Sequence, residues 1–199
     1  DEDVIDFVNE NFKKENINTL TNHKAVEVKG NNLICEFENK KVTLEFDEIF
    51  IALGRKANIN GFGLDKLKIH IRGSGTIEAN QFLQTNYPNI YVCGDVTGPY
   101  QFTHSAAHQA WYASVNALFS PIKKFKVDYS IIPWATFTDP EIARVGLNEQ
   151  DAKIQNIDYQ VTKYDISDLD RAITDSKNKG FIKVLTVPGK DKILGVTIV

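Results

Sequence analysis

The chain has 199 residues, 42% hydrophobic and 25% charged, with a net charge of −3. That length and apolar content supply an ordinary globular core, and the lack of any Lys/Arg block argues against a nucleic-acid partner. No apolar run reaches the ~18 residues of a membrane helix and no signal-peptide pattern opens the sequence, so no membrane partner is expected.

Taken in chain order, residues 4–16 place Val4, Phe7, Val8 and Phe12 near helical spacing and read as the end of an amphipathic helix. The runs INTLT, AVEV, LICEF and KVTLEF follow. Polar turns at Lys29-Gly30-Asn31-Asn32 and Glu38-Asn39-Lys40 separate them into a β-meander. DEIFIALG is more continuously apolar, as a strand covered on both faces would be. Residues 55–88 are rich in Gly and Asn and show little pattern, and IYVCGD is then a second buried strand.

Residues 103–118 lack Pro and Gly. Ala106, Ala107, Ala110, Ala113 and Ala117 give this helix a small-residue face suited to packing against something flat. The polar, basic SPIKKFKVD is the best boundary. Beyond it SIIPWATFTD, IARVG, YQVTKYD, GFIKVLTV and KILGVTIV, with one helix opening at Asn148, form an antiparallel α+β module. In the last strand Val196, Ile198, Ile193 and Thr197 define one apolar and one mixed face. Cys35 and Cys93, each in an apolar stretch, read as buried thiols of a reducing compartment, taken as the cytoplasm. The absence of Met and the uncapped final strand lead us to expect a fragment.

Gly94-Asp95 is the candidate site. In open α/β sheets ligands bind beyond the carboxyl ends of strands, near helix N-termini that favour phosphate. A carboxylate there repels phosphate but accepts hydrogen bonds from sugar or polyol hydroxyls, and Gly94 lets the backbone approach closely. Thr97-Gly98-Pro99 turns the following N–H groups back toward the same cleft. A ligand with hydroxyls and anionic or carbonyl acceptors would fit; a simple N-cap Asp in a loop is the other reading of these residues.

Three motifs in order, DEIFIALGRKANI, NYPNIYVCGDVTG with FTHSAAHQA, and IIPWATFTDPEIARVGLNEQDA, resemble the pyridine nucleotide-disulfide oxidoreductases. These are the flavoproteins of the dihydrolipoyl dehydrogenase, glutathione reductase and mercuric reductase type. The resemblance implies a mixed fold, α/β and α+β: partial FAD/NAD(P)-binding Rossmann-like domains followed by an antiparallel α+β dimerisation domain. Residues 1–53 would end the NAD(P)-binding domain, 54–122 would be the second FAD segment, and 123–199 would open the dimerisation domain.

By the same resemblance Asp95, beside Gly94, binds a hydroxyl of FAD. Gln101, Phe102, Thr103 and His104 run along the flavin. Gly54 lies near NAD or NADP, Ala25 is a candidate for the adenine side, and Arg55 lines the junction of the nucleotide domains unless it is a solvated surface Arg. The full-length protein would be a homodimer acting on a small-molecule or lipoyl-type disulfide. Residues 168–185 resemble the mercuric reductase and dihydrolipoyl dehydrogenase branch, and Asn80 stands where that family usually has an acidic residue.

Several parts of that chemistry are missing. GFG at 61–63 neither follows a strand nor opens a helix, so there is no dinucleotide loop. No CxxxxC pair is present, nor the His-Pro…Glu stretch that supplies the acid/base, so no catalytic residue is assigned and the fragment is expected to be inactive alone. His104 and His108 stand at i and i+4, but no third ligand accompanies them and no metal is expected. The alternative is a flavin-binding or dimerisation scaffold of the same fold without redox cysteines.

Overall fold

Every strand ladder in the computed structural model, which describes residues 1–199, is antiparallel. The helices are α1 (Glu2–Lys14), α2 (Thr103–Phe119), α3 (Glu149–Ile154) and α4 (Asp170–Thr174). The chain divides into a unit of residues 1–51 with 130–199 and a unit of residues 52–129.

In the first unit α1 carries Glu2 and Asp3 in its first turn and Lys13 and Lys14 in its last, each sign set against the opposite end of the helix dipole. The meander is β1 (Lys24–Lys29), β2 (Asn32–Phe37) and β3 (Lys40–Glu45), paired in that order. Glu38 and Asn39 both adopt left-handed φ, at 48° and 61°, as a two-residue hairpin loop requires. INTLT, expected as a strand, is loop, because the free edge of β1 pairs with nothing.

The second sheet of this unit has the order β4-β5-β8-β7-β6. Its strands are β4 (Trp134–Thr136), β5 (Ile142–Gly146), β6 (Gln160–Asp165), β7 (Phe181–Thr186) and β8 (Ile193–Ile198). Asn148 opens α3 with a reciprocal cap: its side chain accepts from the Asp151 N–H, and the Asp151 carboxylate accepts from the Asn148 N–H. Arg144 also pairs with Asp151.

In β7 alternate residues Phe181, Lys183 and Leu185 are buried. Lys183 is the largest fully buried side chain, and its Nζ meets Asp1 at 2.8 Å, Asp3 at 2.6 Å and Glu149 at 2.9 Å. The three carboxylates stand at metal-like spacing, but an ammonium already lies among them.

The faces of β8 differ from expectation. Thr197 and Gly195 turn inward, while Ile193 and Ile198 remain 59% and 45% exposed. The seam with β5 is close: Gly146 pairs with Gly195, and a Cβ on either would run into the backbone of Leu194 or Leu147.

In the second unit the core is Ile69, Ile77 and Val92, with Ile59, Leu64, Ala79, Ile90 and Val96 packed around it. Two expected strands are not formed. Residues 47–54 are irregular and pair with no strand, with Phe50 92% and Leu53 86% exposed. IYVCGD makes only an isolated antiparallel bridge between Tyr91 and Gln84. Its Ile90 and Val92 are nevertheless anchored in the core, so Asp95 follows a buried extended run and not a parallel strand.

Helix α2 also corrects the sequence reading. Its buried positions are Ser105, Gln109, Ala113 and Asn116, while Ala107 and Ala117 are exposed. Polar side chains, not alanines, dominate the inner stripe. Asn116 donates to the carbonyls of Phe82 and Phe125 and accepts from the Phe125 N–H. One amide thus ties the connector after α2 back onto the unit.

Candidate functional site

The tract from Gly94 to Gly98 is held by hydrogen bonds around its backbone. The Gly94 carbonyl accepts from the N–H groups of Thr97 and Gly98, closing a tight turn. The Ile77 N–H donates to the Val96 carbonyl at 2.7 Å, and the Thr97 hydroxyl donates to the Ile77 carbonyl at 3.0 Å. Arg72 donates to the carbonyls of Thr97 and Ala79 at 2.8 and 3.0 Å. Gln109 of α2 closes the loop from behind: its Oε1 accepts from the Gly94 N–H at 2.5 Å and its Nε2 donates to the Gly98 carbonyl at 2.8 Å. Gly94 at φ +83° and Gly98 at φ +68° take left-handed conformations that a side chain would resist.

With the backbone engaged in this way, the Asp95 side chain projects outward, 47% exposed. Arg55 lies beside it at 3.8 Å and donates to the Gln101 carbonyl at 2.5 Å. Arg55 is therefore part of this surface, not an isolated solvated side chain. Tyr100, Phe102 and His104 stack ring on ring, with centroids 6.1 and 5.3 Å apart and planes within about 11°. Phe102 is the N-cap of α2 and makes no side-chain cap hydrogen bond to the helix.

The structure thus brings Gly94, Asp95, Arg55 and Gln101 together, with Phe102, Thr103 and His104 continuing the same surface. Gly54 precedes Arg55 at φ +109° with open space where a side chain would stand. Ala25 is exposed on β1, in the first unit. His104 stacks on Phe102 and His108 binds the Asp128 carbonyl at 2.8 Å, so the two imidazoles serve separate contacts. Asn80 caps its own turn by accepting from the N–H groups of Phe82 and Gln84, a task its side-chain oxygen shares with any aspartate.

Family models for "Pyridine nucleotide-disulphide oxidoreductase" and for that family's dimerisation domain match residues 1–110 and 132–199. The chain belongs to this family. Its members use FAD and NAD(P)H and are oxidoreductases. The chain is 36% identical over 204 residues to a dihydrolipoyl dehydrogenase of Buchnera aphidicola, matching 100% of this chain and 42% of that protein. It is 30% identical over 203 residues to a mercuric reductase of Staphylococcus aureus, covering 100% of the chain and 37% of that protein. The fold is shared with the HOCl-induced flavoprotein disulfide reductase RclA of Escherichia coli at a TM-score of 0.81 and 23% identity, over 98% of this chain and 45% of that one. The chain therefore spans less than half the length of the relatives it matches.

The residues of this surface fit a flavin dinucleotide. An outward carboxylate suits polyol hydroxyls, a glycine-flanked turn permits close approach, and helix N–H groups without a side-chain cap suit a carbonyl edge. Cys35 and Cys93 are both free thiols, Cys35 buried and Cys93 half-buried. The residues that the sequence reading missed are Arg72, Gln109 and Tyr129, which grip the site from behind. For Gln109 the only sequence signal is a polar residue at a buried helical position, hidden among alanines. Burial raises the Tyr129 phenol pKa, and the hydrogen bond from Gln109 offsets part of that. No helix is long and apolar enough to cross a membrane.

Proposed function

We propose that this chain serves as part of an FAD-dependent, NAD(P)H-linked disulfide oxidoreductase of the dihydrolipoyl dehydrogenase or mercuric reductase type. The observation that carries the proposal is the outward Asp95 carboxylate on a loop pinned on all sides, followed directly by an α2 N-terminus without a side-chain cap. Bound FAD would supply two-electron transfer between a nicotinamide and a disulfide or metal–thiol substrate. Asp95 would hold a hydroxyl of the cofactor, and Gln101, Phe102, Thr103 and His104 would line the ring. Arg55 would keep the Gln101 carbonyl turned away from that surface and balance Asp95. Gly54 and Ala25 would lie toward NAD or NADP.

In this reading residues 1–53 close the nucleotide-binding domain, 54–122 supply the second FAD segment and 123–199 open the dimerisation domain. The full-length protein would be a cytoplasmic homodimer acting on a small-molecule or lipoyl-type disulfide. The 199 residues alone would be inactive and bind FAD weakly, because no dinucleotide loop of the GxGxxG kind accompanies them. A fluorescence titration of this chain with FAD tests the last point, and a micromolar or tighter dissociation constant would overturn it. A second reading is a flavin-binding or dimerisation scaffold of the same fold without redox cysteines. Bleaching of the flavin band by NAD(P)H in the full-length protein, with reoxidation by a disulfide, separates the enzyme from that scaffold.

A further inference from the structure

We propose that Gln109 is a positioning residue for the flavin-facing loop, acting with Tyr129 and touching no ligand itself; the inference rests on reading the Asp95 loop as the cofactor site. Gln109 is 0% exposed. The Gly94 N–H can only donate and the Gly98 carbonyl can only accept, so these two groups fix which way round the Gln109 amide lies. The second hydrogen on Nε2 goes to the Tyr129 hydroxyl oxygen at 2.9 Å.

One side chain from the second turn of α2 therefore closes both ends of the five-residue tract that carries Asp95. Without it, the two glycines at positive φ would be free to rotate and two buried backbone groups would lack partners. Because the same residue belongs to α2, the loop and the N-terminal turn of that helix are held as one body. The spacing between the Asp95 carboxylate and the α2 N–H groups is thereby set before any cofactor arrives, which lowers the ordering cost of binding.

The substitutions discriminate by chemistry. Gln109→Leu fills similar space but leaves the Gly94 N–H and the Gly98 carbonyl unpaired. Gln109→Glu keeps an acceptor for the Gly94 N–H but takes the donor from the Gly98 carbonyl and buries a carboxylate beside it. FAD dissociation constants are measured on full-length protein, and amide hydrogen exchange at Gly94 is measured on the 199-residue chain without cofactor.

Gln109→Leu is expected to raise the FAD dissociation constant at least about tenfold and speed Gly94 exchange by a similar factor, while Gln109→Glu also weakens FAD but keeps Gly94 exchange within about threefold of wild type. Wild-type FAD affinity in Gln109→Leu, or Gly94 exchange equally fast in the Leu and Glu variants, overturns the inference and leaves the proposed function standing. If the Leu variant does not fold, Tyr129→Phe decides: about threefold weaker FAD with faster Gly94 exchange supports it, and no change in either overturns it. A wild-type full-length protein that binds no FAD sinks the proposed function itself, and this inference with it.

Discussion

Lys183 and Asp3 stand 180 positions apart in sequence, yet Lys183 Nζ lies 2.6 Å from Asp3 Oδ1. The same ammonium reaches Asp1 and Glu149. It is 1% exposed, which makes its partners obligatory: a charge taken out of water costs several kcal/mol unless paired. Asp1 also accepts from the N–H groups of Glu149 and Gln150, so it caps α3 while standing at the start of α1. Lys183→Met leaves three neighbouring carboxylates without their cation and is expected to destabilise the first unit by about 3–5 kcal/mol. Urea unfolding measures this, and a loss under about 1 kcal/mol would mean the pairing contributes little beyond its own desolvation.

That cluster also sets an acid limit. Burial raises the pKa of Asp3, but hydrogen bonds from Lys183 and Lys163 outweigh it and hold the group below its ordinary 3.8. The Lys183 hydrogen bond leads in holding Glu149 below its ordinary 4.5. A carboxylate with a lowered folded pKa adds stability above its unfolded pKa and loses it as pH falls through the folded value. Thermal midpoints are therefore expected to hold from neutral pH down to about 5 and then to fall steeply below about 4. In Lys183→Met these carboxylates lose the cation that lowers their pKa, so the acid decline is expected to shrink, and an unchanged profile would remove Asp3 and Glu149 from the account.

Helix α3 has six residues, too short to persist on propensity alone. Its reciprocal cap should be worth measuring separately: Asn148→Ala is expected to cost about 1 kcal/mol, and Asn148→Asp far less. Equal costs for the two substitutions in chemical denaturation would show that Asn148 matters through its burial and not through its side-chain oxygen.

At the candidate site, Asp95→Ala in full-length protein is expected to weaken FAD retention by about 1–3 kcal/mol, the scale of one hydrogen bond to a polar ligand. Flavin content of the purified variant, read by absorbance against protein, checks it. A normal flavin-to-protein ratio after extensive dialysis would remove Asp95 from the contact.

The sequence made some of this legible and hid the rest for physical reasons. The meander hairpins, α2 and the five strands after residue 130 follow from local turn chemistry and periodicity, which act over a few residues. Residues 47–54 carry an equally strong apolar run, but a strand exists only with a neighbour, and this run pairs with none. Lys183 sits in phase with Phe181 and Leu185, so alternation alone predicts it inward; its partners lie too far away in sequence for any window to reveal them. Gly94-Asp95 was legible because glycine and a carboxylate after a buried run are unusual together. Gln109 was not, since nothing local distinguishes a buried amide from an exposed one on a helix rich in alanine.

The glycine seam between β5 and β8 bears on how sequences of this kind can drift. At Gly146 and Gly195 a single added methyl would occupy space already filled by backbone, which no rotamer change on a neighbour can vacate. Ile193 and Ile198, exposed at the edges of the same strand, face no such restriction. Over long divergence the two glycines will outlast their apolar neighbours, and a pair of invariant glycines will mark the register of these strands even in descendants whose other letters have all changed.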